Sequence, residues 1–228
     1  MCGRFTLITN LGAIAKRFGV SRFLEEVGPR YNVAPTQTVI VVNDNGARRL
    51  TQMRWGLISS WAKDPAIGNR MINARAKTAA TKPAFRVALR KRRCPIPADG
   101  FYEWKPTGRR KQPVYIALKN REPFGFAGLW ESWTSPKGEE IRSCTFITTE
   151  ANELLKPIHD RMPIILTREA EAVWLDPTIE DAAKLLSLLK PYPAEGMEVY
   201  PVSRLVNSPE NDSPDCIEPH RWDTGGAP

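Results

Sequence analysis

The sequence predicts an α+β fold with mostly antiparallel or mixed sheet. Three observations lead there. Strand-like and helix-like runs alternate irregularly, with hairpins where repeated βαβ units would give a parallel sheet. The 20 prolines and 15 glycines among 228 residues imply many short elements and tight turns. No internal repeat or composition break divides the chain, so one domain is expected.

Each element has its own signal. Leu11, Ile14, Ala15 and Phe18 fall at helical spacing, and Gly19 closes the run. Residues 38–43 read as a strand that turns through Asn43-Asp44-Asn45-Gly46 into a second strand over 49–57. Residues 82–93 read as a helix with Phe85, Ala88 and Leu89 inward and Arg86, Arg90 and Arg93 outward. Residues 101–104 and 113–118 form a hairpin around Pro106-Thr107-Gly108. Strands are expected over 124–129, 144–149, 163–166 and 198–202, and helices over 151–155, 168–175 and 178–189. From Asn207 onward the chain is rich in Pro, Asp and Asn, which reads as a tail hugging the surface.

Composition narrows the function. Hydrophobic content of 42% and charged content of 25% are ordinary for a soluble globular protein. No apolar run approaches the ~20 residues of a membrane span. The amino terminus lacks a basic stretch followed by an apolar one, so no signal peptide is read and a cytoplasmic address is expected. The net charge of +8 favours an anionic partner, with nucleic acid the first candidate. The four cysteines, Cys2, Cys94, Cys144 and Cys216, form no CxxC pair and there are only two histidines. No metal site, cofactor or disulfide scaffold is therefore expected. Cys94 and Cys144 adjoin apolar runs and read as buried small hydrophobes.

The chain begins Met1-Cys2-Gly3-Arg4. Methionine aminopeptidase removes Met1 when the second residue is small, so the mature chain is expected to start at Cys2. A terminal cysteine joins an α-amine of ordinary pKa ~7.7–8.0 to a thiol of ~8.5. An aldehyde captured by the amine as an imine can be closed by the thiol into a five-membered thiazolidine. Holding both groups on one residue removes most of the entropic cost of closure. The same terminus could instead attack an amide, with the amine as base. Taken alone, Cys2 reads best as the second residue of an ordinary cytosolic protein.

Three internal segments add polar chemistry. Asn73-Ala74-Arg75 puts an amide and a guanidinium on one side of an extended segment, suited to a sugar oxygen and a phosphate; it also reads as a turn Asn and a surface Arg. Asp99-Gly100-Phe101-Tyr102-Glu103-Trp104 sets a carboxylate among aromatics, which tends to raise its pKa and suits acid–base work. Glu103 equally reads as an exposed strand residue paired across the hairpin with Lys111 or Arg110. Ile158-His159-Asp160-Arg161-Met162-Pro163 lies between a helix signal and an apolar strand, where loops often carry function. A lone His is more often structural, yet His159 is a better acid–base candidate than His220 in the tail.

Together with Arg30-Tyr31-Asn32-Val33-Ala34-Pro35, Trp55-Gly56-Leu57, the run from Cys94 to Trp104 and Ala127-Gly128-Leu129-Trp130, these segments occur in an order that resembles the SRAP family. Those are the SOS-response-associated peptidase or abasic-site-processing proteins. The resemblance runs from Cys2 to about Glu218, implying a domain over 1–218 and a flexible tail over 219–228. It implies a single α+β domain with a twisted, barrel-like sheet core, peripheral helices and a positively charged cleft. It also implies covalent capture of abasic sites in single-stranded DNA, in the DNA damage and SOS responses, by a monomer associated with the nucleoid.

By motif, Cys2 would crosslink, Asn73 would hold the sugar and orient the amine, and Glu103 would be the acid–base group. His159 would open the sugar ring and promote reversal. Arg4, Arg75 and Arg161 would grip phosphates, and Trp55 and Trp61 would stack on or wedge against bases. Two positions depart from the pattern: Lys77 stands where an acidic residue is usual, and Ser59 where Pro is usual. Two other readings compete. Cys2-Gly3 also resembles the start of class II glutamine amidotransferases, whose further substrate contacts have no match here. The chain could also be a non-enzymatic single-strand-binding module. The peptidase label leaves a narrower activity, cleavage of its own Met1.

Overall fold

A computed structural model describes residues 2–21, 27–44 and 48–221. The chain opens with β1 (Phe5–Leu7), α1 (Leu11–Phe18), β2 (Arg30–Val33), β3 (Thr38–Asp44) and β4 (Arg48–Trp55). It continues through β5 (Asn73–Arg75), α2 (Ala76–Ala79), α3 (Arg86–Lys91), β6 (Arg93–Ala98), β7 (Gly100–Thr107) and β8 (Arg110–Leu118). Then come β9 (Phe124–Thr134), β10 (Glu140–Glu150), β11 (Arg161–Pro163), β12 (Ile165–Leu166), α4 (Arg168–Leu175), α5 (Ala182–Ser187) and β13 (Met197–Pro201). Among the described residues no helix is long and apolar enough to cross a membrane.

Local chemistry accounts for the cleanest elements. Asn10 caps α1 by accepting the Ala13 N–H at 2.8 Å, and Gly19 ends it at φ 63°. Thr167 caps α4 in the same way. The turn at 45–47 lies outside the described residues.

The strands form an antiparallel five-stranded sheet in the order β13-β8-β7-β1-β2 and a mixed eight-stranded sheet. The second follows β12-β9-β10-β4-β3, with β5 and β11 also on β10 and β6 on β9. β4 and β5 run parallel to β10. The sheets make a nearly closed, barrel-like core with a few helices outside, the α+β class expected. Phe5, Trp55, Phe126 and Phe146 knit its centre, with Trp55 stacked on Phe146 at 4.6 Å. Gly100 is required where β7 crosses Tyr115, because a Cβ there would lie 2.3 Å from the Tyr115 ring.

Three expectations are corrected. Residues 151–155 form turns, not a helix: Pro157 has no N–H to give a following turn, and the Ala151 N–H bonds to Asp160 at 3.0 Å. The helix expected over 82–93 shortens to α3, and Arg93 begins β6. Arg93 is buried, not outward; it donates to the Leu89, Trp174 and Asp176 carbonyls at 3.0, 2.7 and 2.6 Å, and burial lowers its pKa. β6 itself was hidden by Pro95 and Pro97. Two prolines spaced by two face the same edge, and among the described residues β6 has β9 as its one strand partner.

The segment after β13 is strapped to the sheet. Asn32, fully buried, donates from Nδ2 to the carbonyls of Val206, Ser208 and Asn211 at 3.2, 2.9 and 2.7 Å. Asp212 accepts from the backbone N–H groups of Tyr31 and Asn32 and pairs with Arg30 at 2.5 Å.

Candidate active site

β1 fixes where Cys2 sits. Phe5 and Thr6 pair with Phe101 and Gly100 of β7, and the Tyr102 N–H donates to the Arg4 carbonyl at 3.0 Å. That register carries the Cys2–Gly3 step alongside Glu103. Cys2 is fully buried, and its Sγ donates to the Arg4 carbonyl at 3.6 Å. Burial first, then the Glu103 carboxylate, push the thiol far above its ordinary pKa. The resting side chain is therefore a protonated thiol that needs a base when it reacts.

Asn73 holds the same residue from β5. Its Nδ2 donates to the Cys2 carbonyl at 2.9 Å. Its Oδ1 is buried and has no hydrogen-bond partner among the described residues. A buried acceptor left over costs about 1–3 kcal/mol. Here it sits on the side chain that grips the terminal segment.

Glu103 is 4% exposed. Its cross-strand partner is Val114, while Arg110 and Lys111 face Thr107 and Pro106, so the exposed, cross-hairpin reading is overturned. Burial raises its pKa; the charge of the amino-terminal amine and its hydrogen bond oppose that rise, and Arg161 opposes it less. A carboxyl whose pKa is raised by burial beside a buried thiol is suited to passing protons.

His159 closes the turn before β11. Its Nδ1 lies 3.0 Å from the Arg161 N–H and 2.7 Å from Asp160 Oδ1. The neutral ring accepts from the amide, and the protonated ring donates to the carboxylate. Burial is the main cause that lowers its pKa; the amino-terminal charge and then the Arg161 charge add to it, while Asp160 and the Arg161 backbone hydrogen bond oppose it, so the neutral ring prevails at pH 7. Arg161 thus acts on both Glu103 and His159, and its Nε is 3.8 Å from Asp160. Cys2, Asn73, Glu103, His159 and Arg161 lie together as one candidate site. Beside it a groove of about 360 Å³ is lined by Arg75, Lys77, Thr148, Glu150, Asp160 and Arg161.

A family model described as SOS response associated peptidase (SRAP) matches residues 1–209. The chain belongs to the SRAP family. It is 52% identical over 224 residues to the abasic site processing protein YoqW of Bacillus subtilis (strain 168), covering 96% of this chain and 100% of that one. It is 35% identical over 224 residues to the abasic site processing protein HMCES of Gallus gallus, covering 84% of this chain and 66% of that one. An X-ray crystal structure of a Bacteroides thetaiotaomicron protein, 30% identical, superposes with a TM-score of 0.88 over 96% of this chain and 100% of that one.

Two of the DNA-facing residues expected from the SRAP resemblance are corrected. Trp55 is fully buried, its indole N–H donating to Ile72 at 2.9 Å, so neither ring face is open to a base. Trp61 is 61% exposed. Arg4 is committed to the fold: it donates to Asn32 Oδ1 at 2.8 Å and to the Val206 and Asn207 carbonyls at 2.6 and 3.1 Å. Arg4→Ala is expected to lower the unfolding free energy by about 3 kcal/mol in urea titrations, since charge-assisted bonds to the buried Asn32 and Val206 are lost. Weakened DNA binding at unchanged stability would restore the phosphate role.

Arg75 is exposed and has no ion pair among the described residues. Lys77 does not engage it, pairing with Glu150 at 2.5 Å on the surface. Ser59 is buried, and nothing in its surroundings explains why it replaces Pro. The sequence reading missed Asn32 and Asp212, although the Arg30–Pro35 motif marked the place.

Proposed function

We propose that this chain senses abasic sites in single-stranded DNA and captures them as a thiazolidine crosslink through Cys2, once Met1 is gone, protecting the lesion. The observation that supports this best is the convergence of Asn73 and Glu103 on a buried cysteine at the amino terminus. Family membership and a relative named for abasic site processing point the same way.

The chemistry balances. The ring-opened sugar presents an aldehyde. The Cys2 amine adds to its carbonyl carbon, and water leaves as the imine forms. The thiol then adds across C=N; the S–C bond forms and the thiol proton ends on nitrogen. One water is lost overall, with no oxidation or reduction. Glu103 protonates the departing hydroxyl and then takes the thiol proton. Asn73 Oδ1 orients the amine or sugar. Neutral His159 accepts the proton that opens the sugar ring and assists reversal. Arg75 and Arg161 hold phosphates, and Trp61 stacks on a base.

The imine stage is lyase-like, and ring closure removes the imine before elimination can cut the strand. A protonated, buried thiol is a poor resting nucleophile for an amide.

Incubation with a single-stranded oligonucleotide bearing one abasic site, then a denaturing gel, tests the reading. A covalent band is expected; glutaminase activity without one, or binding alone, would overturn it. Log affinity is expected to fall with log salt, and Arg75→Ala to reduce that slope by about 0.7, one phosphate contact on a single strand. An unchanged slope would remove Arg75 from the interface.

A further inference from the structure

The outward face of α3 serves neither the core nor the Cys2 site. Phe85, Ala88 and Leu89 take the buried side of this helix. The Phe85 and Arg86 N–H groups both donate to the Lys82 carbonyl at 2.9 Å, so the turn begins at Lys82. Lys82, Arg86 and Arg90 then recur every four residues in one exposed row, and Lys91 extends it. Like charges at that spacing destabilise a helix, so the row does nothing for α3 itself. Among the described residues neither Arg86 nor Arg90 has an ion pair. Val87 stands beside the row at 45% exposure.

Arg86, Val87, Arg90 and Lys91 line a groove of about 760 Å³ together with Thr81 and Glu180. Glu180 pairs with Lys91 at 3.8 Å, which leaves Arg86 and Arg90 as the uncompensated charges. Composition decides what suits this groove. A nucleic-acid strand stacks its bases on aromatic faces and sets its phosphates on cations. Here no aromatic side chain is in the lining, a carboxylate is, and Val87 would lose its water against a charged backbone. A peptide with carboxylates around an apolar side chain fits better. Each guanidinium takes a carboxylate through two parallel N–H bonds, and Val87 meets the apolar group.

We propose that the outward face of α3 docks an acidic segment of another protein, with carboxylates on Arg86 and Arg90 and one aliphatic side chain on Val87. α3 packs on β6, β9 and α5, and none of the residues lining its groove lines the Arg75–Arg161 groove. The two grooves are neighbours all the same. Ala76 and Lys77 of α2 line one, and Ala80 and Thr81, just past its end, line the other. A partner on α3 therefore stands one short helix away from the Arg75–Arg161 groove. The proposal goes beyond the DNA-capture reading and does not rest on it.

The test uses the full-length protein and a panel of short fluorescent peptides. Each carries several aspartates or glutamates and a single leucine, placed at every position in turn. Anisotropy at low salt is expected to pick out members that bind. Replacing their leucine by alanine is expected to weaken them about tenfold, the scale of one apolar side chain withdrawn from partial contact. Arg86→Gln with Arg90→Gln is expected to weaken binding at least about tenfold and to flatten its salt dependence. Both positions are exposed, so an unchanged Tm is expected. Val87→Thr keeps the side chain's shape and adds a hydroxyl. It is expected to weaken the leucine peptides and leave their alanine versions as they were, a coupling that general damage to the fold would not give. Lys137→Ala, on the exposed β9–β10 turn, is expected to change nothing. Affinity for abasic single-stranded DNA is expected to stay the same in every variant. The proposal is overturned if no member of the panel binds, or if binding survives the double variant. Displacement of the peptide by abasic DNA also overturns it, because the peptide would then lie in the strand groove. So does a double variant that loses affinity for single- or double-stranded DNA instead, which would make α3 a nucleic-acid surface.

Discussion

Heat-stable crosslink from a Cys2→Ser protein is expected to fall below about a hundredth of the wild-type amount, because the proximity effect that drives ring closure is worth more than that. A hydroxyl closes onto an imine far less favourably than a thiol. The serine protein keeps its α-amine, so borohydride is still expected to trap an imine with abasic DNA. That separates loss of the second bond from loss of binding. Cys94, Cys144 and Cys216 are buried and have no free α-amine, so replacing them is expected to leave the adduct in place. Parallel gels, with and without borohydride, check all of these outcomes. A full yield of heat-stable product from Cys2→Ser would remove the thiol from the mechanism.

Glu103→Gln is expected to slow crosslink formation by about 10²–10⁴-fold, the usual contribution of a positioned acid–base group, with DNA affinity little changed. The same change bears on stability with a definite sign. Burial raises the Glu103 pKa, so the folded chain holds this proton more tightly than the unfolded chain. The stability it contributes is fully present below the ordinary carboxylate pKa and is lost as pH rises through the raised value. Glu103→Gln is therefore expected to melt at or above the wild-type Tm at pH 7, with the gap closing in acid. A variant that is both slow and markedly less stable at pH 7 would mark Glu103 as a structural residue. His159→Ala is expected to affect ring opening and release instead.

Local signals carried as far as the contacts were local. The Leu11, Ile14, Ala15, Phe18 stripe and Gly19 define α1 without help from the rest of the chain. Pro106-Thr107-Gly108 likewise marks the β7–β8 hairpin, with Gly108 at φ 60°. β1 has only three residues, and its order comes from β2 and β7, so no periodicity announces it. Trp55 looked like a base-stacking residue because a sequence does not say which face of β4 turns inward; Phe5 and Phe146 decide that. Arg4 looked like a phosphate ligand because its acceptor at Val206 lies 202 residues away. The candidate site residues were legible as motifs, but burial of Cys2, the spare Asn73 oxygen and the charge of Arg161 near both Glu103 and His159 belong to the packed chain.

In the proposed crosslink the amine and the thiol of Cys2 both bond to one aldehyde carbon. Its most direct test is the adduct formed by protein whose amino terminus is blocked by extra residues ahead of Cys2, set beside protein beginning at Cys2. Each is incubated with abasic single-stranded DNA, heated, resolved on a denaturing gel and weighed by intact mass spectrometry. Protein beginning at Cys2 is expected to give a heat-stable species whose mass is protein plus DNA less one water, and the blocked protein none. A heat-stable adduct from the blocked protein would contradict the mechanism.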